Sequence, residues 1–186
     1  MHAAVPVISS ALEDELLDWV GSLALDPLGF VLGCYPWGEP GPLEKHTGPD
    51  VWQRAFLEWL GEEVRARAFD GSTPVRPIRA ATSSGHGIGK SVLVAWIVDW
   101  IMSTRPHAQG TITANSFPQL QTKTWAAIQR WTKLCLTGHW FVVNSDRMYH
   151  PDFKESWFCS AQSSKEHNSE AFAGQHAADS TSFYIF

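Results

Sequence analysis

The stretch Ser83–Met102, SSGHGIGKSVLVAWIVDWIM, carries glycines at 85, 87 and 89, a Gly-Lys-Ser triplet at 89–91 and then a long apolar run. Glycine adopts backbone angles that other residues avoid, so alternating glycines let successive N–H groups converge on one point. A helix starting at that point adds its unpaired N–H groups and the positive end of its dipole. The lysine adds an ammonium group. The apolar run contains Asp99 and is too short to cross a bilayer, so it predicts a buried helix over 90–104, ended by Arg105-Pro106. Ile78–Ser83 predicts a short strand leading into the loop.

Strand, glycine turn and helix are the setting of the phosphate loop G-x-x-x-x-G-K-[ST]. Gly89, Lys90 and Ser91 satisfy its end; Ser84 replaces its first glycine, with Gly85 and Gly87 close by. The candidate nucleotide-binding residues are therefore Ser84, Gly85, His86, Gly87, Ile88, Gly89, Lys90 and Ser91. Lys90 is the candidate catalytic residue, reaching the β- and γ-phosphates of ATP, and the Ser91 hydroxyl is the candidate ligand of Mg²⁺. The alternative is a glycine-rich connection with no ligand. His86 either touches a phosphate or is an ordinary exposed loop histidine, and no catalytic role is assigned to it.

Outward from the loop, the 186-residue chain has the composition of a folded domain, with 44% hydrophobic and 18% charged residues. Its ten tryptophans suit core filling or an interface. The net charge of −5 argues against a surface that coats nucleic acid. Residues 1–75 hold 12 acids and 4 bases, whereas residues 76–186 hold 7 acids and 10 bases. The basic part starts at Arg76, just before the loop; a local anionic ligand and plain solvated charge both account for this. Cys34, Cys135 and Cys159 are widely spaced and predict buried free thiols, and no histidine pair has metal-ligand spacing. The N-terminus has no secretory signal pattern.

Ser10–Leu25 predicts a helix with acids at 13, 14 and 15 in its first turn and Leu12, Leu16, Trp19, Val20 and Leu23 on one face. Residues 26–50, rich in proline and glycine, predict a loop, and Asp50 caps a helix 51–68 with the stripe Trp52, Phe56, Trp59, Leu60 and Val64. Gly110–Asn115 predicts a strand, and 117–136 a helix with Leu120, Thr124, Ile128, Trp131 and Cys135 on one face. Trp140–Asn144, Glu155–Ala161 (paired with the segment around Met148) and Ser182–Phe186 predict further strands, with a weak helix at 165–173. This alternation predicts an α/β fold of the P-loop NTPase type: a mostly parallel sheet with helices on both faces, after an N-terminal helical and loop segment (1–75). Residues 76–186 form the expected core.

Several segments together resemble the N-terminal ATPase region of large terminase subunits, the DNA-packaging motors of tailed bacteriophages. They are DPLGFVLGCYPWG (26–38), DVWQRAFLEWLGE (50–62), SGHGIGKS (84–91), TANSFPQLQTKTW (113–125) and AFAGQHAADSTSFYIF (171–186). The resemblance implies binding of ATP and Mg²⁺ and, in the full-length family, ATP hydrolysis that drives viral DNA packaging. It implies double-stranded DNA, a portal protein and a small terminase subunit as partners, a ring of identical subunits as a possible assembly, no membrane association, and the cytoplasm of the host bacterium as location. It makes Gln53, in the Trp-Gln pair, a candidate for the adenine edge, beside the reading of an exposed helix glutamine. The family's strand matching SFYIF runs into Asp-Glu, which holds Mg²⁺ and orients the attacking water. The sequence ends at Phe186 without that pair and without the nuclease domain. The expectation is therefore a core incomplete at its C-terminus, binding ATP with negligible turnover. Glu166, Glu170 and Asp179 end no apolar strand and Arg79 sits in no pattern, so none is given a role. Two alternatives remain: a catalytically inactive prophage remnant that binds nucleotide or a partner, and another P-loop ATPase of helicase-like type.

Overall fold

The computed structural model describes residues 10–68, 73, 75–83, 85, 87–163 and 180–186. The expected helix at 165–173, together with Ser84, His86, Glu166, Glu170 and Asp179, lies outside them.

The fold is α/β, with helices on both sides of a five-stranded mixed sheet. Helix α1 (Ser10–Ser22) is followed by α2 (Pro27–Cys34), α3 (Val51–Arg67) and α4 (Lys90–Thr104). Strand β1 (Gln109–Ala114) then leads into α5 (Phe117–Gln119), a π-helical turn (Leu120–Trp125) and α6 (Ala126–Thr132). Strands β2 (Val142–Val143), β3 (Arg147–Tyr149), β4 (Phe158–Ser163) and β5 (Ser182–Ile185) complete the sheet in the order β2-β3-β4-β1-β5. No helix among the described residues is long and apolar enough to cross a membrane.

The expected mostly parallel sheet is corrected by its pairings. Strand β1 runs parallel to both β4 and β5, whereas β3 runs antiparallel to both β2 and β4. Connection length is the reason. A parallel neighbour needs a crossover of about a dozen residues or more. Residues 144–146 and 150–157 are too short for that and simply turn back, while the α5–α6 segment lets β1 and β4 run together. The predicted pairing of the 155–161 segment with Met148 is present, as Met148 opposite Cys159.

The expected strand at 78–83 is also corrected: these residues form no regular structure. Strand β1 already has β4 and β5 on its two sides, and the segment before the loop does not add to the sheet at the outer edge of β5. Residues 26–34, expected as loop, instead hold α2. Asp26 accepts from Gly29 N at 2.9 Å and Pro27 occupies the first turn, where a missing N–H costs nothing. Pro27 therefore starts a helix, and α1 has already ended at Ser22.

The long helix after β1 shows how a small change in pitch reassigns a face. Its inward residues were expected at Leu120, Thr124 and Ile128. The π turn widens the spacing to five, so Leu120 and Trp125 are buried and Thr124 is only partly so. Trp125 Nε1 then donates to Asn144 O at 2.8 Å. On α3 the buried face is Gln53, Leu57, Leu60, Gly61 and Val64, with Trp52, Phe56 and Trp59 at its flank. On α1 only Val20 is buried, while Leu12 and Trp19 are exposed. Its Glu13 accepts from His139 Nε2 at 3.0 Å and from Trp140 Nε1.

One hydrophobic cluster joins both parts of the chain, from Val20, Phe30 and Leu57 to Trp96, Ile128 and Phe183. Tyr35, Trp37, Trp96 and Trp131 meet in it, some pairs tilted and others edge to face, with the Trp96 and Trp131 centroids 5.1 Å apart in an edge contact. The three cysteines are buried and free. Beside the aromatic group lies Asp99 of α4, 1% exposed, accepting from Tyr35 Oη and Thr132 Oγ1, each at 2.7 Å. Burial drives its carboxyl pKa up to about 7, against the pull of those two donors. Lower down α4, Trp100 Nε1 donates to Leu23 O at 3.0 Å, and Arg105 lies over the Trp100 ring while its Nη2 donates to Ala24 O at 2.7 Å.

Two outcomes follow. Asp99 is raised in the folded state from 3.8 to about 7, so the native state holds a proton that the unfolded chain has already lost between those values. Its stabilising share is complete below pH about 4, declines as pH rises, and is lost once pH passes about 7. Urea unfolding midpoints at pH 5 and pH 8 should separate for the parent chain more than for Asp99→Asn. In addition, a Cβ on Gly110 would overlap the Phe183 ring across the β1–β5 ladder, so Gly110→Val should destabilise by roughly 1–3 kcal/mol in the same assay.

Candidate functional site

The loop sits at the carboxyl end of the parallel strands because of a short connection. Residues 105–108 turn the chain directly from the end of α4 into the start of β1, so the two run antiparallel. The amino end of α4 therefore lies toward the end of the sheet where parallel α/β folds bind ligands.

Within the loop, Gly87 has φ 82° and Gly89, the residue capping α4, has φ 86°. Both are left-handed conformations that disfavour any side chain. At Gly85 and Gly87 an added Cβ would meet nothing within 4 Å. Lys90 begins α4, and its Nζ reaches back to donate to Gly85 O at 2.9 Å. Ser91 follows in the first turn, half-buried, and Ile88 is exposed. Among the described residues no group of three or more His, Cys, Asp or Glu side chains is placed to hold a metal ion.

Gln53 is brought to this loop from the start of α3. It is 4% exposed, and both ends of its amide are engaged: Oε1 accepts from Asp50 N at 2.9 Å and Nε2 donates to Gly89 O at 3.1 Å. Its neighbour Trp52 donates through Nε1 to Ile88 O at 3.2 Å. The Trp-Gln pair thus grips the two carbonyls just before α4. The contact is close, because a Cβ on Gly89 would come within 2.7 Å of Gln53 Nε2. Sequence reading joined Gln53 to the site through the family resemblance alone. The 36-residue separation from Gly89 hid the direct contact. Trp52 was read as part of an apolar stripe and as the neighbour of Gln53 in the Trp-Gln pair, with no contact to the loop expected.

Arg79 is exposed and lies away from this cluster, in a groove with Arg67 and Arg76. Thr113, near the end of β1, has a buried hydroxyl with no hydrogen-bond partner. Comparison of the chain with protein-family models, curated proteins and solved structures finds no match.

The grip of Gln53 is open to test. Gln53→Leu leaves the Gly89 carbonyl and the Asp50 N–H without their partner, a loss of roughly 1–3 kcal/mol for a buried site. Amide exchange at 87–91 should accelerate in this variant while exchange in β1 and β4 changes much less. Equal protection in both proteins would show that the glycine loop holds its shape without Gln53.

Proposed function

We propose that this chain is the ATP-binding part of a P-loop motor ATPase resembling the large terminase subunit, and that its loop grips the triphosphate. The observation carrying this reading is the union of two left-handed glycines, the amino end of an apolar helix and Lys90 at one place. Backbone N–H groups of the open Gly85–Gly89 turn would cradle phosphate oxygens, with Lys90 neutralising charge and the Ser91 hydroxyl available to Mg²⁺. The residues fit such a group. Lys90 Nζ already lies across the loop, where an incoming phosphate would replace the Gly85 carbonyl as its acceptor. The metal ion, when bound with the nucleotide, supplies charge neutralisation at the β- and γ-oxygens.

In this reading Gln53 and Trp52 keep the loop in shape. For Gln53 to read the adenine edge as well, its Nε2 would have to leave Gly89 O. DNA packaging, the portal and small-subunit partners, the homo-oligomeric ring and the bacterial cytoplasm belong to this proposal as properties of the family resembled. In this reading the glycine turn, Lys90 and Ser91 account for the binding of ATP.

Lys90→Ala should reduce ATP affinity at least about tenfold, since loss of one charge-assisted contact is worth about 1.5–3 kcal/mol. Isothermal calorimetry with the nonhydrolysed analogue and Mg²⁺ measures it. Equal affinity in parent and variant would remove the phosphate-loop assignment.

A further inference from the structure

The basic half of the sequence begins at Arg76, before the loop, and the nucleotide reading leaves its first two arginines unused. Arg76 and Arg79 line a cavity of about 410 Å³ together with Pro77 and with Glu63 and Arg67 from the end of α3. Arg67 is fully occupied on its inner side. It donates from Nε to Arg76 O at 2.7 Å and from Nη1 to Glu63 O at 2.8 Å, and it pairs with the Glu63 carboxylate at 2.7 Å. Arg67 therefore compensates Glu63, the acid that lines the groove among the described residues. Arg76 and Arg79 are exposed and have no carboxylate partner among the described residues, which leaves two uncompensated guanidinium groups facing one concavity.

The groove is also held in shape. Pro77 fixes its own φ and keeps Arg76 extended. The Arg67–Arg76 bond ties the segment to the end of α3, while the Gln53–Gly89 bond ties it to the start of α3. Gln53 and Arg67 are separated by about 20 Å along the helix axis, at 1.5 Å per residue. The groove is thus a separate place from the glycine loop. Guanidinium forks match the paired oxygens of phosphate more closely than any other common anion except carboxylate, and two of them in one cavity favour the more highly charged group.

We infer that the Arg76–Arg79 groove is a second anion site, built for a phosphate group and distinct from the one at Lys90. That phosphate could belong to a nucleic-acid backbone or to a small free phosphate compound. The two sources are separated by measuring each in a Lys90→Ala background, which weakens the loop. Fluorescence anisotropy with a labelled DNA duplex over a series of salt concentrations is one arm, and calorimetry with inorganic pyrophosphate is the other. The double variant Arg76→Gln/Arg79→Gln, whose sites are exposed, should keep the parent's urea midpoint. If the phosphate is a backbone phosphate, the variant's duplex affinity falls about tenfold or more at low salt. The slope of log affinity against log salt shrinks by about two, one for each lost contact. If the phosphate is free, pyrophosphate affinity falls about tenfold and duplex binding is unchanged. Arg79→Lys, which keeps charge and loses the fork, should give part of either loss. Lys45→Gln/Lys133→Gln, an equal charge change on two exposed residues outside the groove, should give neither. The inference is overturned if neither probe binds, if the Arg76→Gln/Arg79→Gln variant leaves both affinities unchanged, or if Lys45→Gln/Lys133→Gln matches its effect.

Discussion

A buried carboxyl organises this molecule. Asp99 lies within α4 and takes hydrogen bonds from Tyr35, just past α2, and from Thr132 at the end of α6. A charged carboxylate here would face a desolvation cost that two neutral donors offset only in part, and the group responds by holding its proton toward neutral pH. The two hydroxyls leave few alternatives for the rotation and depth of α4 against its neighbours. Since α4 begins at Lys90, that rotation also sets which way the first turn of the helix points. The same constraint links the N-terminal helices to the sheet, because Tyr35 stands in the aromatic group with Trp37, Trp96 and Trp131.

The candidate site depends on a second long-range contact. Helix α3 places Trp52 and Gln53 against the carbonyls of Ile88 and Gly89, and so supports the loop from outside the α/β core. A loop of alternating glycines is costly to order because each glycine has so many conformations to lose. Two hydrogen bonds at its end, one from an almost fully buried amide, restrict it before any ligand arrives. The far end of the same helix carries Arg67, which holds the Arg76 segment. A single helix thus supports two places that differ in chemistry: at one end the glycine loop beside Lys90, at the other a groove lined by arginines.

Much of this was legible from local signals. The glycine turn, the helix after it, the strands at 109–114, 158–163 and 182–185 and the pairing at Met148 all follow from residue type and spacing. Misreadings arose where the local signal was incomplete. The strand expected at 78–83 has branched and small residues of the right kind, but a strand needs an edge to pair with. Thr124 was placed inward by a period of 3.6, and a π turn moved Trp125 there instead. The α2 helix was obscured by prolines and glycines around it, although Asp26-Pro27 is a good helix start.

The chain's own sequence determined that a glycine-rich turn ending in a lysine precedes a buried helix, because glycine's freedom, the lysine and the apolar run are properties of adjacent residues. Tertiary structure decided the sheet's mixed direction, the union of Gln53 with Gly89, the pairing of Asp99 with Tyr35 and Thr132, and the gathering of three arginines in one groove. These depend on contacts between residues far apart in the chain. Their free energy arises only when packing brings the groups together and removes water from between them, so no window of neighbouring residues records them.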